Sequence, residues 1–389
     1  MAEIFLTIFF ISVLLFFLGS GIWVALSMIG VSAIGMMLFT SRPVGDAMAT
    51  TIWGTSSSWT LTALPLFVWM GEILFRTKLS ENLFRGLSPW MQKLPGGLIH
   101  VNIVGCALFA AISGSSAATV ATVGKMSIPE LRKRNYPEKI LLGSLAGSGT
   151  LGLLIPPSII LIIYGVAVQE SIAKLFIAGI IPGIMIALIF MSYVIIWSLI
   201  NKKEMPKILE EYSFLEKIKR SKQLLPVILL ISAVIGSIYT GIATATEAAS
   251  LGVVGALILS YFQKSLTLET FKSSLLGATK TSCMIAFILA GSTFLSLAMG
   301  FTGLPRNLAI WIQNMNLSPY VLIFVLMIFY IILGMFLDGI SAVVLTMAII
   351  EPMIRQAGFD MIWFGIFLVI VVEMAQITPP VGFNLFVLQ

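Results

Sequence analysis

Two interruptions of apolar sequence carry the residue types that bind small cations. In the first, 42 positions separate Gly114 from Pro156, and in the second, 40 positions separate Gly339 from Pro379. Each proline is followed by another, and paired prolines leave backbone groups of a helix without partners. Backbone carbonyls, hydroxyls and carboxylates are the oxygen ligands that hard cations prefer. The doubled pattern therefore predicts two ion-binding breaks in membrane helices.

We predict that each pair of breaks encloses one Na⁺. The predicted ligands are Ser113, Gly114, Ser115, Ser116, Gly149, Gly152 and Pro156 at the first site, and Asp338, Gly339, Ser341, Thr378 and Pro379 at the second. The predicted substrate contacts are Ser116, Pro157, Ser341, Pro380 and Asn384. Three glycines and two hydroxyls in 147–152 argue against an ordinary packed helix there. The competing interpretation is that glycine and serine only let membrane helices pack closely.

Three carboxylates lie at predicted membrane depth, where a charge is costly and usually marks a pathway. Asp338 sits at the second tip, which suits an ion site or a tip-locking role. Glu373 precedes the second proline pair, and its structural alternative is pairing with a helix-end amide. Glu247 has capping-box spacing from Thr244, which favours a structural role at a helix start. Because carboxylates also carry protons, H⁺ remains an alternative coupling ion.

The composition is that of a membrane protein, since 58% of the 389 residues are hydrophobic and only 10% are charged. A soluble domain carries about 25% charged residues, so a soluble enzyme and a nucleic-acid-binding protein are excluded. The net charge of +6 lies in loops rather than on one polar face. Cys106 and Cys283 both lie in apolar runs and imply no disulfide framework. The predicted fold class is an all-α polytopic membrane protein.

The positions of Lys and Arg predict the topology, because cytoplasmic loops are enriched in these residues. If the linker 201–223 is cytoplasmic, 19 of the 23 basic residues lie inside, and only Arg42, Lys174, Arg306 and Arg355 lie outside. The asymmetry requires that segments 100–128 and 320–352 each enter and leave on the same side. Both are therefore predicted to be re-entrant hairpins.

The topology predicted from Lys and Arg gives the two halves of the chain opposite orientations in the membrane, as in an inverted repeat. The predicted divisions are scaffold helices 1–58, a first transport-body part 59–169, scaffold helices 170–262 with the linker 201–223, and a second transport-body part 263–389. Amphipathic segments 78–95 and 303–316 are the predicted connecting arms. The first half ends with an additional span, 176–200, so a complete second half would continue by roughly 35 residues as one more helix.

Seven strings resemble the large membrane subunit of the tripartite ATP-independent periplasmic (TRAP) transporters. They are 63–72, 94–98, 110–121 (AAISGSSAATVA), 151–158 (LGLLIPPS), 180–183, 244–249 and 377–382 (ITPPVG). Each string alone is weak evidence for the family, but the combination is specific and extends over the whole chain. Leu153 departs from the family pattern, in which many members carry a proline or a small residue.

The resemblance implies a Na⁺-driven secondary importer in a bacterial inner membrane, with Na⁺ as coupling ion and no other cofactor. It implies a small helical membrane subunit and a soluble periplasmic binding protein as partners, and an organic acid as substrate. It also implies an elevator mechanism like that of ion-transporter-superfamily folds, in which hairpins and proline-broken helices form a mobile body. Among the family's substrates, sialic acid is favoured over C4-dicarboxylates.

Three other interpretations stay open. One is import of a C4-dicarboxylate or another carboxylate by the same kind of complex. A second is a stand-alone Na⁺- or H⁺-coupled carboxylate transporter that needs no binding protein. The third is an intramembrane serine hydrolase using Ser113 or Ser115, for which His100, the only histidine, is the sole candidate base. A channel is disfavoured, because two broken inverted halves suit alternating access.

Overall fold

The computed structural model describes residues 2–388, except 78, 207–211, 223, 304, 306, 308–309, 311–317, 336 and 380–381. Every regular element in these residues is helical, and no strand occurs among them. The prediction of an all-α protein is therefore confirmed. Most of 303–316, the second predicted arm, lies outside the described residues.

The first half of the chain forms helices α1 to α11. Their bounds are α1 Ala2–Gly19, α2 Val24–Phe39, α3 Val44–Ser56, α4 Ala63–Phe75, α5 Leu79–Met91, α6 Ile99–Ser113, α7 Ser116–Lys133, α8 Glu138–Gly149, α9 Leu151–Leu154, α10 Ile159–Ala167 and α11 Ile172–Ile200, with a 3₁₀ turn at Trp59–Thr62. The described part of the second half forms α12 to α19. Their bounds are α12 Phe214–Ser221, α13 Leu225–Tyr239, α14 Ala245–Phe262, α15 Leu268–Thr302, α16 Pro319–Gly334, α17 Gly339–Gln356, α18 Met361–Gln376 and α19 Phe383–Val387.

Several of these helices have the length and composition to cross a bilayer. In the described residues, α11, α14, α15 and α17 each qualify alone. Three bent pairs qualify together: α3 with Trp59–Phe75 at 52°, Glu138–Leu154 with α10 at 41°, and α12 with α13 at 58°. The described chain therefore holds four to seven candidate spans, as expected for a polytopic protein.

Polar caps begin many of these apolar helices. A side chain accepts a hydrogen bond from the backbone amide three residues further on at Ser115, Ser158, Ser171, Ser213, Thr244, Thr267, Ser318, Asp338 and Asp360. Each cap satisfies one of the amides that a helix start leaves without a partner. Thr244 and Glu247 form a complete capping box, so the structural role predicted for Glu247 is confirmed.

The predicted helix breaks are present in both halves. Helices α6 and α7 pack against each other and form a helical hairpin whose tip is 114–115. The chain bends by 41° between Leu154 and Ile159, across the first proline pair. In the second half, α16 and α17 flank the second tip, and α18 ends at Gln376, just before the second proline pair. The re-entrant course of the hairpins stays a prediction.

Residues 147–152 are helical almost throughout, so the prediction against a packed helix is wrong. Helix α8 runs to Gly149 and α9 begins at Leu151. A Cβ placed on Gly149 would lie 1.9 Å from Cγ2 of Val120, so glycine here allows α8 to contact α7 closely. Close packing through small residues accounts for this segment.

Helices of the first half pack against helices of the second half. Helix α2 of the first half lies against α15 of the second, and α14 of the second half lies against α4 of the first. Closer to the breaks, α10 contacts α17 and α19 contacts α7. The halves are therefore interleaved rather than separate, and most of the buried apolar side chains, from Phe10 to Val372, form one continuous core.

Candidate functional site

The first tip is held by hydrogen bonds among its own residues. Gly114 adopts a left-handed conformation with φ of 58°, which glycine tolerates without strain. The carbonyl of Ser115 accepts hydrogen bonds from the hydroxyls of Ser113 at 3.2 Å and Thr119 at 2.8 Å. The hydroxyl of Ser115 in turn accepts from the amide of Ala118. These bonds fix the sharp turn between α6 and α7.

The first tip lies directly against the first proline break. A Cβ on Gly114 would lie 3.0 Å from the carbonyl oxygen of Pro157, and one on Gly152 would lie 2.7 Å from the carbonyl oxygen of Ser115. Both glycines therefore permit backbone-to-backbone contact between tip and break. Of the residues predicted at the first ion site, the structure brings together Ser113–Ser116 and Gly152, with Gly149 one turn away and Pro156 buried next to Pro157, the predicted substrate contact that touches the tip.

The second tip is built differently. The carboxylate of Asp338 accepts a 3.1 Å hydrogen bond from the amide of Ser341 and caps α17, which confirms the tip-locking role. A Cβ on Gly339 would lie 2.5 Å from Nε2 of Gln376, at the end of α18. Thr378 donates its hydroxyl hydrogen to the carbonyl of Met374 at 2.7 Å. Pro379 is exposed, and Pro380 lies outside the described residues.

A buried hydrogen bond joins the two halves at the first tip. Ser116, the first residue of α7, donates to Oε1 of Glu373 at 2.7 Å, and both side chains are at most 3% exposed. The predicted alternative, that Glu373 pairs with a helix-end amide, is wrong. Its second oxygen, Oε2, is buried and has no hydrogen-bond partner among the described residues.

Both tips line a single cavity of about 1170 Å³. Ser113–Ser116 form part of its wall, Asp338–Ser341 form another part, and Gln376, which lies against Gly339, also lines it. Of the predicted substrate contacts, Ser116 and Ser341 line the cavity, whereas Pro157 lies behind the first tip. Asn384 is wholly buried next to Gly149, and neither its oxygen nor its nitrogen has a partner among the described residues.

Residues in or next to α2, α4 and α15 complete the cavity wall, and sequence reasoning did not place them at the site. They include Trp23, Glu72, Lys280, Thr281 and Cys283. Glu72 forms an ion pair with Arg76, one helical turn further on. Lys280 lies within the long apolar helix α15. A lysine inside an apolar helix is a signal that could have identified it.

The residues proposed for serine hydrolysis do not form a catalytic arrangement. His100 is buried, and its Nε2 lies 2.8 Å from the carbonyl of Pro95. The hydroxyl of Ser113 pairs with Thr119 at 2.8 Å, and that of Ser115 caps α7. Among the described residues, neither serine contacts a base that could activate it.

Apolar helices of spanning length, two broken helical regions and a cavity between their tips define a polytopic membrane protein arranged for transport. The sequence agrees with a known family over nearly its whole length. A family profile described as "Tripartite ATP-independent periplasmic transporter, DctM component" matches residues 9–389. The chain belongs to this family, and it is a transporter rather than an enzyme.

Curated relatives agree with this assignment. The chain is 34% identical over 356 residues to the C4-dicarboxylate TRAP transporter large permease protein DctM of Pseudomonas aeruginosa, covering 91% of this chain and 82% of that protein. It is 31% identical over 373 residues to the sialic acid TRAP transporter large permease protein SiaM of Vibrio cholerae, covering 95% and 86%. It is 31% identical over 343 residues to the 2,3-diketo-L-gulonate TRAP transporter large permease protein YiaN of Escherichia coli, covering 86% and 78%. The prediction of a multi-pass TRAP large permease is confirmed.

Proposed function

We propose that this protein imports an organic acid across the bacterial inner membrane by Na⁺-coupled alternating access. The observation that carries the proposal is the shared cavity, whose wall contains the tips of both halves. A substrate in this cavity contacts both predicted ion sites, which is the arrangement that coupling requires. We infer that the cavity lies within a membrane from the candidate spans and from the family.

The packing between the two halves supports an inverted repeat with an elevator movement. Pairing of α2 with α15 and of α14 with α4 is what a two-fold relation between the halves produces. The hairpins and proline-broken helices then form the mobile body. The cavity extends from the tips to Trp23, Phe75 and Lys280, which the Lys and Arg distribution places towards the cytoplasmic side. This supports an inward-facing arrangement.

The residues present fit Na⁺ as a transported ion. The first site offers the hydroxyls and carbonyls of Ser113–Ser116, and the second adds the carboxylate of Asp338. All are oxygen ligands of the kind that hard cations prefer. Two sites without sulfur or imidazole ligands favour an alkali cation over a transition metal.

An organic anion fits the charge distribution of the cavity. Lys280 supplies a positive charge to the wall, whereas Glu72 is paired with Arg76 and Asp338 caps its own helix. The three relatives are named for organic acids, but for different ones, and their identities of 31–34% favour none strongly. We therefore propose a carboxylate, and retain sialic acid and a C4-dicarboxylate as the compounds to compare.

The family description also supports the proposed partners. A tripartite periplasmic transporter has three components, so we propose a small membrane subunit and a soluble periplasmic binding protein that delivers the substrate. A stand-alone carboxylate transporter is the competing function, and it would work without the binding protein.

Uptake into proteoliposomes tests the proposal. The complex is reconstituted with its binding protein, and uptake of sialic acid and of succinate is measured under an inward Na⁺ gradient and then under a pH gradient. We expect uptake of one of the two acids, driven by Na⁺ and lost without the binding protein. Uptake without a Na⁺ requirement contradicts the coupling, and uptake without the binding protein supports the stand-alone function. Ser115→Ala and Thr378→Ala should each weaken the Na⁺ dependence.

A further inference from the structure

Glu373 is a buried carboxyl group whose hydrogen-bond capacity is only half used. The residue is 3% exposed, Oε1 accepts a hydrogen bond from Ser116, and Oε2 has no partner in the described part of the chain. No ion pair with Glu373 occurs among the described Lys and Arg residues. A buried carboxylate without a compensating charge is strongly unfavourable, so one neutral hydroxyl does not account for its presence.

The hydrogen bond to Glu373 also directs the oxygen of Ser116. A hydroxyl group has one hydrogen and two acceptor lone pairs. Because Ser116 donates its hydrogen to Glu373, its lone pairs remain available to another group. Ser113 and Ser115 differ, since their hydroxyls take part in the internal bonding of the tip.

Glu373 occupies the position at which one helix meets both tips. At the end of α18, Glu373 bonds to Ser116 at the first tip, and Gln376, three residues later, lies against Gly339 at the second tip. Both Ser116 and Gln376 line the cavity. A charge placed here would affect both half-sites through direct contacts.

We propose that Glu373 is an additional cation-binding residue, and that its carboxylate and the hydroxyl of Ser116 bind a monovalent alkali cation between the two halves. The cation compensates the buried charge, and the carboxylate strengthens a site otherwise made of neutral oxygens. This inference deepens the proposed Na⁺ coupling and rests on it. In this site, Glu373 of the second half of the chain binds the ion at the tip of the first half.

Na⁺-dependent thermal stability of the purified transporter, measured without substrate, tests this inference independently of transport. A ligand that binds only the folded state stabilises it by RT ln(1 + [L]/Kd), so the melting temperature begins to rise when the ligand concentration reaches Kd. Na⁺ is titrated against choline at constant ionic strength with wild type, Glu373→Gln, Ser116→Ala and the control Glu247→Gln. Glutamine retains the capping box at position 247, so this control should match wild type.

We expect Glu373→Gln to raise the Na⁺ concentration at which the melting temperature begins to increase by at least about tenfold, since it removes a charged ligand, and Ser116→Ala to raise it less. Should Glu373→Gln not fold, Glu373→Asp and Ser116→Ala decide the matter, because both shift the Na⁺ titration if the site exists. A wild-type Na⁺ titration in these variants overturns the inference alone. A variant that loses pH dependence but keeps the Na⁺ titration identifies a proton site and also overturns it. Absence of Na⁺ stabilisation in wild type overturns both the inference and the proposed coupling.

Discussion

The hydroxyl of Ser116 donates a 2.7 Å hydrogen bond to Oε1 of Glu373, although the residues stand 257 positions apart in the chain. Ser116 begins the second helix of the first hairpin, and Glu373 lies near the end of the helix before the second proline pair. The bond therefore connects the tip predicted to bind an ion in one half to the broken helix of the other. Movement of either element alters the surroundings of the other, which is what coupling between two sites requires.

Replacement of Gly152 by alanine should damage the first half-site. The new Cβ would lie 2.7 Å from both the carbonyl oxygen of Ser115 and Cα of Ser116, and backbone atoms on α7 move only at a cost. We expect a loss of about 1–3 kcal/mol in stability, seen as a lower melting temperature, together with weaker Na⁺-dependent uptake. Gly143→Ala on the same α8–α9 segment is the control, because its Cβ would meet nothing within 4 Å. Equal behaviour of the two variants would contradict the packing described for Gly152.

The two native cysteines provide a test of the cavity without mutation. Cys283 is exposed and lines the cavity, whereas Cys106 is wholly buried. A membrane-permeant maleimide should therefore modify one thiol, and Cys283→Ser should abolish the labelling. We expect the transported acid to slow the labelling, because it occupies the same cavity. Mass spectrometry of the labelled peptide identifies the site, and modification of Cys106 in the folded protein would contradict the burial described for α6.

Lys280 should contribute to the binding of the organic acid. Removal of a cavity charge that attracts a carboxylate weakens substrate binding more than turnover, so Lys280→Gln should raise the apparent KM by about tenfold. The maximal rate of uptake should change less. Lys272→Gln is the matched control, since it lies on the same helix and outside the cavity wall. An unchanged KM in Lys280→Gln would remove this residue from the substrate site.

Asp338 combines a helix cap with a predicted ion ligand, and two substitutions separate these roles. Asparagine caps a helix about as well as aspartate, whereas alanine loses about 1 kcal/mol. Asp338→Ala should therefore lower the melting temperature, and Asp338→Asn should restore it. If the carboxylate also binds Na⁺, both variants should need more Na⁺ for half-maximal uptake. A normal Na⁺ requirement in Asp338→Asn would limit this residue to capping.

Local sequence signals predicted the breaks in the fold correctly. Gly114 and the first proline pair predicted where α6, α7 and α10 end or begin, because glycine and proline act on their own backbone. The capping box at Thr244 and Glu247 was likewise predictable from spacing alone. The bent pairing of α3 with Trp59–Phe75 was not predictable in this way, because the threonines and Asp46 of α3 dilute the apolar signal that identifies a span. The helical course of 147–152 was missed because glycine serves close packing as readily as a break.

The sequence by itself determined that the chain is a helical membrane protein with two related breaks, and its motifs identified the family. These properties depend on composition and on neighbouring residues. Only the tertiary structure decided that the two tips line one cavity, that Lys280 and Cys283 line it too, and that Glu373 meets Ser116. A buried carboxylate in an apolar run requires some polar partner, but sequence spacing does not specify which one. The partner is selected by the packing of helices that are distant in the chain, and that packing is a property of the whole fold.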